Sequence, residues 1–325
     1  MKEVVKNRVV GVDISLDRTS YAIVDVRGNI IARDSFSTRD YSNINDYVGV
    51  LCERIVMLAE TNGGFDNVRS VGISAPSANN LTGAIENPPN LQWKGVIPMA
   101  NMVRARLGIA VALGNDAHLA ALGEHTYGSA HGMNNFIIMT LGHGIGSCFF
   151  ANGEPHLGAD GFAGEIGHTC VELNGRTCGC GKKGCLEAYC SASGIVKTAK
   201  EMMEGNTDPT MMRAIIDLTP KIISGCCKRG DPMAIEVMNR TGRMLGRTMA
   251  GYASVLDPEA IVFAGGLSKA GHWLLEPAYE EFEKHVFPAL RGRVKFLTSA
   301  LEDHERDVLG ASALAWGIKE YSLFK

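Results

Sequence analysis

The chain has 325 residues, a formal charge of −3 at pH 7 and 46% hydrophobic residues, which is typical of a globular protein with room for two domains. The near-neutral charge argues against nucleic acid as the main partner, and we interpret the short basic cluster Arg291, Arg293 and Lys295 as a solvated face. The N-terminus has no apolar core followed by a cleavage site, and no apolar run could span a bilayer. We therefore expect a cytoplasmic protein with no membrane partner.

The first half of the chain alternates strands and helices. The segment "RVVGVDISLDRTSYAIVDVRGNIIARDSF" predicts three consecutive strands joined by two turns. A helix is predicted over Asn45–Thr61, where apolar residues recur on one face. Further along, "AVALGNDAHLAALGEHTYG" predicts a strand, a sharp turn and an alanine-rich helix, with a hinge near Asn115–Asp116.

The second half begins in the same way. The segment "NFIIMTLGHGIGSCFFANGEPHL" predicts a second hairpin with a glycine turn. A long helix is predicted over Pro232–Leu256, ended by Asp257–Pro258, and "AIVFAGGLSKAG" predicts a strand that meets a diglycine turn. A final helix at 309–320 is rich in alanine and glycine, which permits close packing. The sequence therefore predicts a duplicated α/β architecture.

A cysteine-rich segment, "GHTCVELNGRTCGCGKKGCLEAYC" at 167–190, predicts a metal site. Cys178, Cys180 and Cys185 follow the spacing C-x-C-x4-C, and His168 precedes them. Three thiolates and one imidazole complete the tetrahedral shell of a structural zinc ion. Buried free cysteines or an incidental disulfide are the alternatives, and Cys170 and Cys190 flank the cluster as competing ligands.

Two motifs carry a family resemblance: "GFAGEIGH" at 161–168 and "CGCGKKGCLE" at 178–187. With them the chain resembles the ROK family of bacterial sugar kinases, and within it the glucokinase and hexokinase members. The resemblance implies a two-lobed actin/hexokinase/Hsp70-like fold, a duplicated ribonuclease H-like α/β fold with a cleft between the lobes. It implies a small lobe of residues 1–115 plus 308–325, a large lobe of 116–307 that carries the zinc loop, and a homodimer.

The resemblance also implies a hexose site. Asp116, in the "GND" sequence, corresponds to the family's catalytic base, although an N-cap role suits its position equally well. The implied hexose ligands are Asn90, Asn115, Asp116, Glu165, His168 and Glu187. His168 would then use one ring nitrogen for zinc and the other for the sugar. The alternative for Glu165 and Glu187 is that they are surface carboxylates.

The same resemblance implies a site for Mg-ATP. Backbone N–H groups of glycine turns bind phosphates, and the expected turns contain Gly142, His143 and Gly144, and then Gly265 and Gly266. An ordinary strand-to-helix turn is the alternative for Gly265–Gly266.

The first hairpin departs from the family's D-x-G-G-T-K pattern, because "DISLDRT" lacks both glycines. Asp13 remains as a residue that could hold Mg²⁺ through water, and Arg18 as a phosphate-binding charge. A different phosphate grip, a different donor or an inactive catalyst would each explain the departure.

The expected function is an ATP-dependent kinase that phosphorylates the 6-hydroxyl of glucose, or also of mannose or N-acetylglucosamine. The alternative is a sugar-binding ROK regulator or sensor without kinase activity. Some ROK members are repressors with an N-terminal helix-turn-helix. Here the first predicted strand begins within about ten residues of Met1, so we expect no such DNA-binding domain.

Overall fold

A computed structural model of the chain describes residues 6–88 and 91–319. Asn90, one of the expected hexose ligands, lies outside the described residues. The chain divides into two compact units: the first contains residues up to 132, 154–163 and those from 300 onward, and the second contains 133–153 and 164–299. The lobe boundaries expected from the sequence stay a prediction.

The strands of the described chain are β1 Arg8–Ile14, β2 Arg18–Asp25, β3 Ile30–Ser37, β4 Val68–Ala75, β5 Ala78–Asn79, β6 Ala84–Glu86, β7 Val96–Ile97, β8 Ala110–Asn115, β9 Phe136–Leu141, β10 Ile145–Ala151, β11 Glu154–Pro155, β12 Ala260–Ala264 and β13 Lys295–Thr298. The helices are α1 Ile44–Thr61, α2 Met99–Leu107, α3 Asp116–Tyr127, α4 Glu187–Cys190, α5 Ala192–Gly205, α6 Pro220–Lys228, α7 Pro232–Leu256, α8 His272–His285 and α9 Asp303–Gly317. Among the residues described, no helix combines the length and apolarity that a membrane span requires.

The first unit is built on a sheet with the strand order β3-β2-β1-β4-β8. The first three strands form the two predicted hairpins, and β4 and β8 continue the sheet in parallel with β1. The helix α9 packs directly on the sheet backbone, because a Cβ at Gly11 would lie 2.0 Å from the carbonyl oxygen of Val308 and one at Gly72 would lie 1.8 Å from that of Ala311. Close packing of the last helix is thus confirmed, although it begins at Asp303 rather than at 309.

The second unit repeats this arrangement, with strands in the order β10-β9-β12-β13. An antiparallel hairpin of β9 and β10 again lies beside parallel strands, here β12 and β13. The predicted helix over Pro232–Leu256 is confirmed at both ends. Asp231 caps its N-terminus by accepting hydrogen bonds from Met233 N and Ala234 N, and Asp257, in the left-handed conformation, ends it. The predicted duplication of the α/β pattern is confirmed by the matching sheets.

Candidate active site and metal centre

Four side chains of the second unit converge on one point: His168, Cys178, Cys180 and Cys185, whose ligand atoms all lie within 4.8 Å of one another. Cys180 Sγ and Cys185 Sγ are 3.7 Å apart, and Cys178 Sγ is 3.7 Å from His168 Nδ1. A tetrahedral shell with zinc–sulfur bonds of about 2.3 Å has edges of about 3.8 Å. The donor atoms therefore have the chemistry of a closed zinc shell, and these two pairs also have its spacing.

The chain reaches this geometry through tight turns. Gly181 and Gly184 have φ values of +87° and +76°, which L-residues with a Cβ rarely adopt. At Gly184 a Cβ would also lie 1.9 Å from the carbonyl oxygen of Glu172. Lys182 donates from Nζ to the carbonyl oxygen of His168 at 2.8 Å. We call residues 167–185, which contain all four ligands, the metal arm.

Without a metal, the thiols of the arm differ in acidity. Burial raises the pKa of Cys178 to about 12 and also raises the pKa of Cys185. A backbone hydrogen bond from Lys182 lowers the pKa of the exposed Cys180. A bound cation favours thiolates and would reverse the cost of burying them, so the buried thiols fit a metal-filled site.

The other cysteines take no part in the cluster. Cys170 is exposed, and Cys190 is buried on α4 with its sulfur 3.6 Å from the carbonyl oxygen of Thr241. All nine cysteines are free. The structure thus favours the predicted ligand set over an incidental disulfide or ligation by Cys170 or Cys190, and the ligand set stays a prediction.

Two carboxylates lie beside the metal arm. His168 turns Nδ1 toward the thiols, while its Nε2 lies 3.9 Å from Glu165 Oε2. Glu187 accepts a hydrogen bond from Ile145 N at Oε2, 2.9 Å away, and its Oε1 lies 3.6 Å from Cys178 Sγ. Glu165 is mostly exposed, whereas Glu187 bridges the arm and the β9–β10 turn. Sequence reasoning did not reveal this bridging contact of Glu187.

The glycine turn between β9 and β10 is shaped around Glu187. A Cβ at Gly144 would lie 2.7 Å from Glu187 Oε2, whereas a Cβ at Gly142 would meet nothing within 4 Å. Gly142 N donates to Gly144 O at 3.0 Å, which closes the turn. His143 lies between them and lines a cavity of about 250 Å³ together with Glu187.

The diglycine after β12 has two different roles. Gly265 has φ +84°, and a Cβ there would lie 2.6 Å from the carbonyl oxygen of Leu141 at the end of β9. Gly266 has open space where a side chain would stand. The first glycine is therefore required by the fold, and the second leaves room beside the strand end.

The predicted base belongs to an acidic cluster in the first unit. Asp116 is the first residue of α3, and Asn115 is its N-cap, accepting from Ala117 N at 2.9 Å. Asp116 Oδ1 also accepts from Ala117 N, at 2.8 Å, so Asp116 contributes to the helix start without being the N-cap residue, and its role as base stays a prediction. Burial, and then the charges of Asp307 and Asp116, hold the pKa of Asp13 well above its usual range.

Asp307, on α9, was not among the residues expected to form a site. Burial raises its pKa, and the neighbouring Arg306, whose Nε lies 3.4 Å from Asp307 Oδ1, opposes that shift. Asp13 and Asp307 also line one cavity of about 460 Å³ in the first unit. Carboxylates that repel one another at a cavity wall suit a cation or a proton. No short motif links the two residues, so only folding reveals their proximity.

The turn between β1 and β2 has no glycine and needs none. Ser15 donates from both its backbone N, at 3.0 Å, and its Oγ, at 2.8 Å, to the carbonyl oxygen of Arg18. None of the turn residues 15–17 has a positive φ. Asp17 forms an exposed ion pair with Arg39 at 2.5 Å, while Arg18 lines the same cavity as Asp13.

Known proteins resemble this chain over most of its length. The sequence profile of the ROK family matches residues 9–318. A glucokinase from Halalkalibacterium halodurans is 34% identical over 258 residues, 77% of this chain and 76% of that protein. A putative xylose repressor from Caldicellulosiruptor is 26% identical over 313 residues, 94% of this chain and 77% of the repressor.

Among solved structures, a ROK family glucokinase from Streptomyces griseus in complex with glucose and AMPPNP is similar with a TM-score of 0.77 and 29% identity. The match covers 95% of this chain and 99% of that one. The predicted actin-like α/β fold is thereby confirmed.

Proposed function

The chain belongs to the ROK family, and we propose on that premise that it is an ATP-dependent hexose kinase that phosphorylates the 6-hydroxyl of glucose. The observation that carries the proposal is the carboxylate of Asp116 at the start of α3, near enough to Asp13 to raise the pKa of that residue. Its support is the similarity to glucokinases over most of the chain.

In the proposed reaction the sugar 6-hydroxyl oxygen attacks the γ-phosphorus of ATP in line. The new O6–P bond forms as the bond from phosphorus to the β–γ bridging oxygen breaks, and ADP leaves with that electron pair. Asp116 accepts the hydroxyl proton. Positioning and charge stabilisation account for most of the acceleration in such transfers.

The proposed hexose ligands follow from the family resemblance: Asn90, Asn115, Asp116, Glu165, His168 and Glu187. Carboxylates and amides can each serve two hydroxyl groups. Glu187 keeps acceptor capacity beyond its bond to Ile145 N because each carboxylate oxygen has two lone pairs. His168 keeps Nε2 on the side away from the thiols.

For the nucleotide we propose Gly142, His143 and Gly144 at the phosphates and Gly265–Gly266 at the adenosine. Asp13 and Arg18, which line one cavity, are the proposed contacts for the Mg²⁺ hydration shell and a phosphate. A divalent cation there would neutralise charge that develops on the transferring group, and it would offset the burial and the carboxylate repulsion that raise the pKa of Asp13.

We assign the metal arm to zinc, held by His168, Cys178, Cys180 and Cys185. A closed four-ligand shell leaves no open position for a substrate, so the zinc role is structural. It stabilises the segment that carries His168 and adjoins Glu187.

The test is release of ADP, measured by a coupled assay with glucose, mannose and N-acetylglucosamine, and with a blank that lacks sugar. We expect sugar-dependent ADP release that is highest with glucose, and transfer of phosphate to O6 by NMR. Absence of turnover with every hexose, in folded and zinc-loaded protein, would refute the kinase.

A sugar-responsive regulator is the second candidate, because a putative xylose repressor matches 94% of this chain. A sensor would bind hexose tightly without hydrolysing ATP. Calorimetry with hexose, in the presence and absence of AMPPNP, separates the two candidates, since only the kinase should bind the nucleotide analogue and the sugar together. A gel-shift experiment with DNA tests the regulator directly.

A further inference from the structure

We propose that Arg176 is the positioning residue that holds the metal arm against α4 and α5, and so sets the place of Glu187. This inference rests on the proposed function for the role of Glu187 in hexose binding. Arg176 lies within the metal arm, two residues before Cys178, and it is not one of the four metal ligands.

The guanidinium of Arg176 is almost fully engaged. Nη1 donates to the carbonyl oxygens of Ala188, at 3.0 Å, and Gly194, at 3.1 Å. Nη2 donates to Thr198 Oγ1 at 3.0 Å and forms an ion pair with Glu201. The side chain is only 9% exposed. Buried charge-assisted bonds of this kind are roughly twice as strong as neutral ones.

Tyr189 completes the contact from the other side. The guanidinium carbon of Arg176 lies 4.5 Å from the centre of the Tyr189 ring, and the hydroxyl of Tyr189 accepts a hydrogen bond from Arg176 N at 2.8 Å. A Cβ at Gly175 would lie 2.1 Å from that hydroxyl. The arm is therefore attached to α4 by both the side chain and the backbone of one residue.

This attachment acts next to Glu187. The helix α4 consists of Glu187–Cys190 alone, and a carbonyl in so short a helix has few partners within it. Arg176 binds the carbonyl of Ala188, the residue that follows Glu187. Displacement of α4 would move the Glu187 carboxylate away from both Ile145 N and Cys178 Sγ, its present neighbours.

Apolar packing also supports α4, since Leu186 and Cys190 are buried in the core of the second unit. Arg176 lines two cavities in the second unit, of about 250 Å³ and about 400 Å³. The smaller is also lined by His143, Cys178 and Glu187. The hydrogen bonds of Arg176 therefore add polar restraint where the arm borders these cavities.

An arginine is required for this geometry. Its planar guanidinium donates in several fixed directions and stacks on an aromatic ring, whereas a lysine ammonium is a single point charge. Lysine at 176 would keep the ion pair with Glu201 but lose the fork that joins Ala188 and Gly194. We therefore expect Arg176→Lys to restore only part of what Arg176→Met removes.

The experiment compares Arg176→Met and Arg176→Lys with Arg240→Met. Arg240 lines the larger cavity but pairs with Glu236 on the surface and makes no hydrogen bond to the metal arm. The measurements are kcat, the hexose KM, hydrogen exchange across 167–185 and the rate at which a chelator removes zinc.

For Arg176→Met we expect the hexose KM to rise about 10- to 100-fold, as for other supports of metal-site ligands, with a much smaller change in kcat. Exchange in the arm and zinc release should both accelerate, with Arg176→Lys intermediate and Arg240→Met unchanged. General loss of folded protein would instead lower kcat and leave KM unchanged.

The inference would be overturned if Arg176→Met showed the same hexose KM, hydrogen exchange and zinc release as Arg240→Met. If the unsubstituted protein turns over no hexose, the proposed function fails, and hydrogen exchange and zinc release alone decide whether Arg176 positions the arm.

Discussion

The two hairpin turns occupy equivalent places in the two sheets but are built differently. The first turn, residues 15–17 between β1 and β2, has no glycine and closes on itself through Ser15 and the carbonyl of Arg18. The second, Gly142–Gly144 between β9 and β10, admits the carboxylate of Glu187. In these two turns, glycine is therefore needed where another side chain comes close to the backbone, and the turn itself can form without it.

The comparison also shows how the first turn forms without the glycines of the family pattern. A non-glycine turn forms there without positive φ, and Asp17 is paired with Arg39. The carboxylates of Asp13, Asp116 and Asp307 interact in the same unit, whereas the second turn adjoins the metal arm. The candidate site residues of the first unit are therefore mainly carboxylates, whereas the second unit contributes thiols and backbone N–H groups.

Asp116→Asn tests the carboxylates of the first unit, and we expect it to have the largest effect on activity. We expect kcat to fall about 10²- to 10⁴-fold, because the amide cannot accept the proton, with a hexose KM close to that of the unsubstituted enzyme. Steady-state assays check this. Asp17→Asn, which changes an exposed carboxylate in the first turn, serves as the control. Near-normal kcat in Asp116→Asn would remove Asp116 as the base.

Cys180→Ser tests whether the metal arm supports the second turn. Loss of one direct thiolate ligand should lower zinc affinity by more than the about 10- to 100-fold that loss of an outer-shell partner costs, and it should reduce hexose affinity with it. Elemental analysis and hexose titration measure both. Cys170→Ser is the matched control, since Cys170 is also exposed but lies outside the ligand cluster. Full zinc content in Cys180→Ser would contradict the ligand set.

Gly144→Ala and Gly142→Ala distinguish the roles of the two glycines in the second turn. The Cβ at 144 would lie 2.7 Å from Glu187 Oε2, while the Cβ at 142 has open space. We expect Gly144→Ala to lower kcat/KM about tenfold, through a displacement well below 1 Å, and Gly142→Ala to change it little in the absence of a steric conflict. Equal effects would mean that backbone freedom or the ligand, not Glu187, requires these glycines.

Asp13→Asn tests the charge beside the first turn and should have the smallest effect, on stability. The raised pKa of Asp13 means that the folded state holds more protons than the unfolded state above the usual aspartate pKa of 3.8. Stability is therefore lost as pH rises from 3.8 through the raised pKa. We expect Asp13→Asn to raise Tm at pH 7 by about 2–4 °C.

Calorimetry at two pH values checks that sign. Below pH 3.8 the aspartate is protonated in both states, so the two proteins should melt together. Mg²⁺ should stabilise the unsubstituted protein more than Asp13→Asn. A lower Tm for Asp13→Asn at pH 7 would show that the ionised carboxylate is a favourable partner in the fold.

Much of the architecture could be predicted from local patterns. The limits of α7 follow from Asp231, Pro232 and the Asp257–Pro258 stop, and the structure confirms them. The start of α9 was placed too late, because its first turn, from Asp303, is charged and carries no apolar periodicity. The spacing of Cys178, Cys180 and Cys185 predicted the metal arm because turns of a few residues set the distances between these side chains.

Residue order alone was sufficient for features that arise within a few positions: the two hairpins, the long helix and the cysteine cluster. Packing decided the rest. It excluded Cys170 and Cys190 from the cluster, joined Glu187 to Ile145 N, and brought the charge of Asp307 to Asp13. These contacts join residues far apart in the chain, and they form only when helices and sheets bury their apolar faces, which no short motif records.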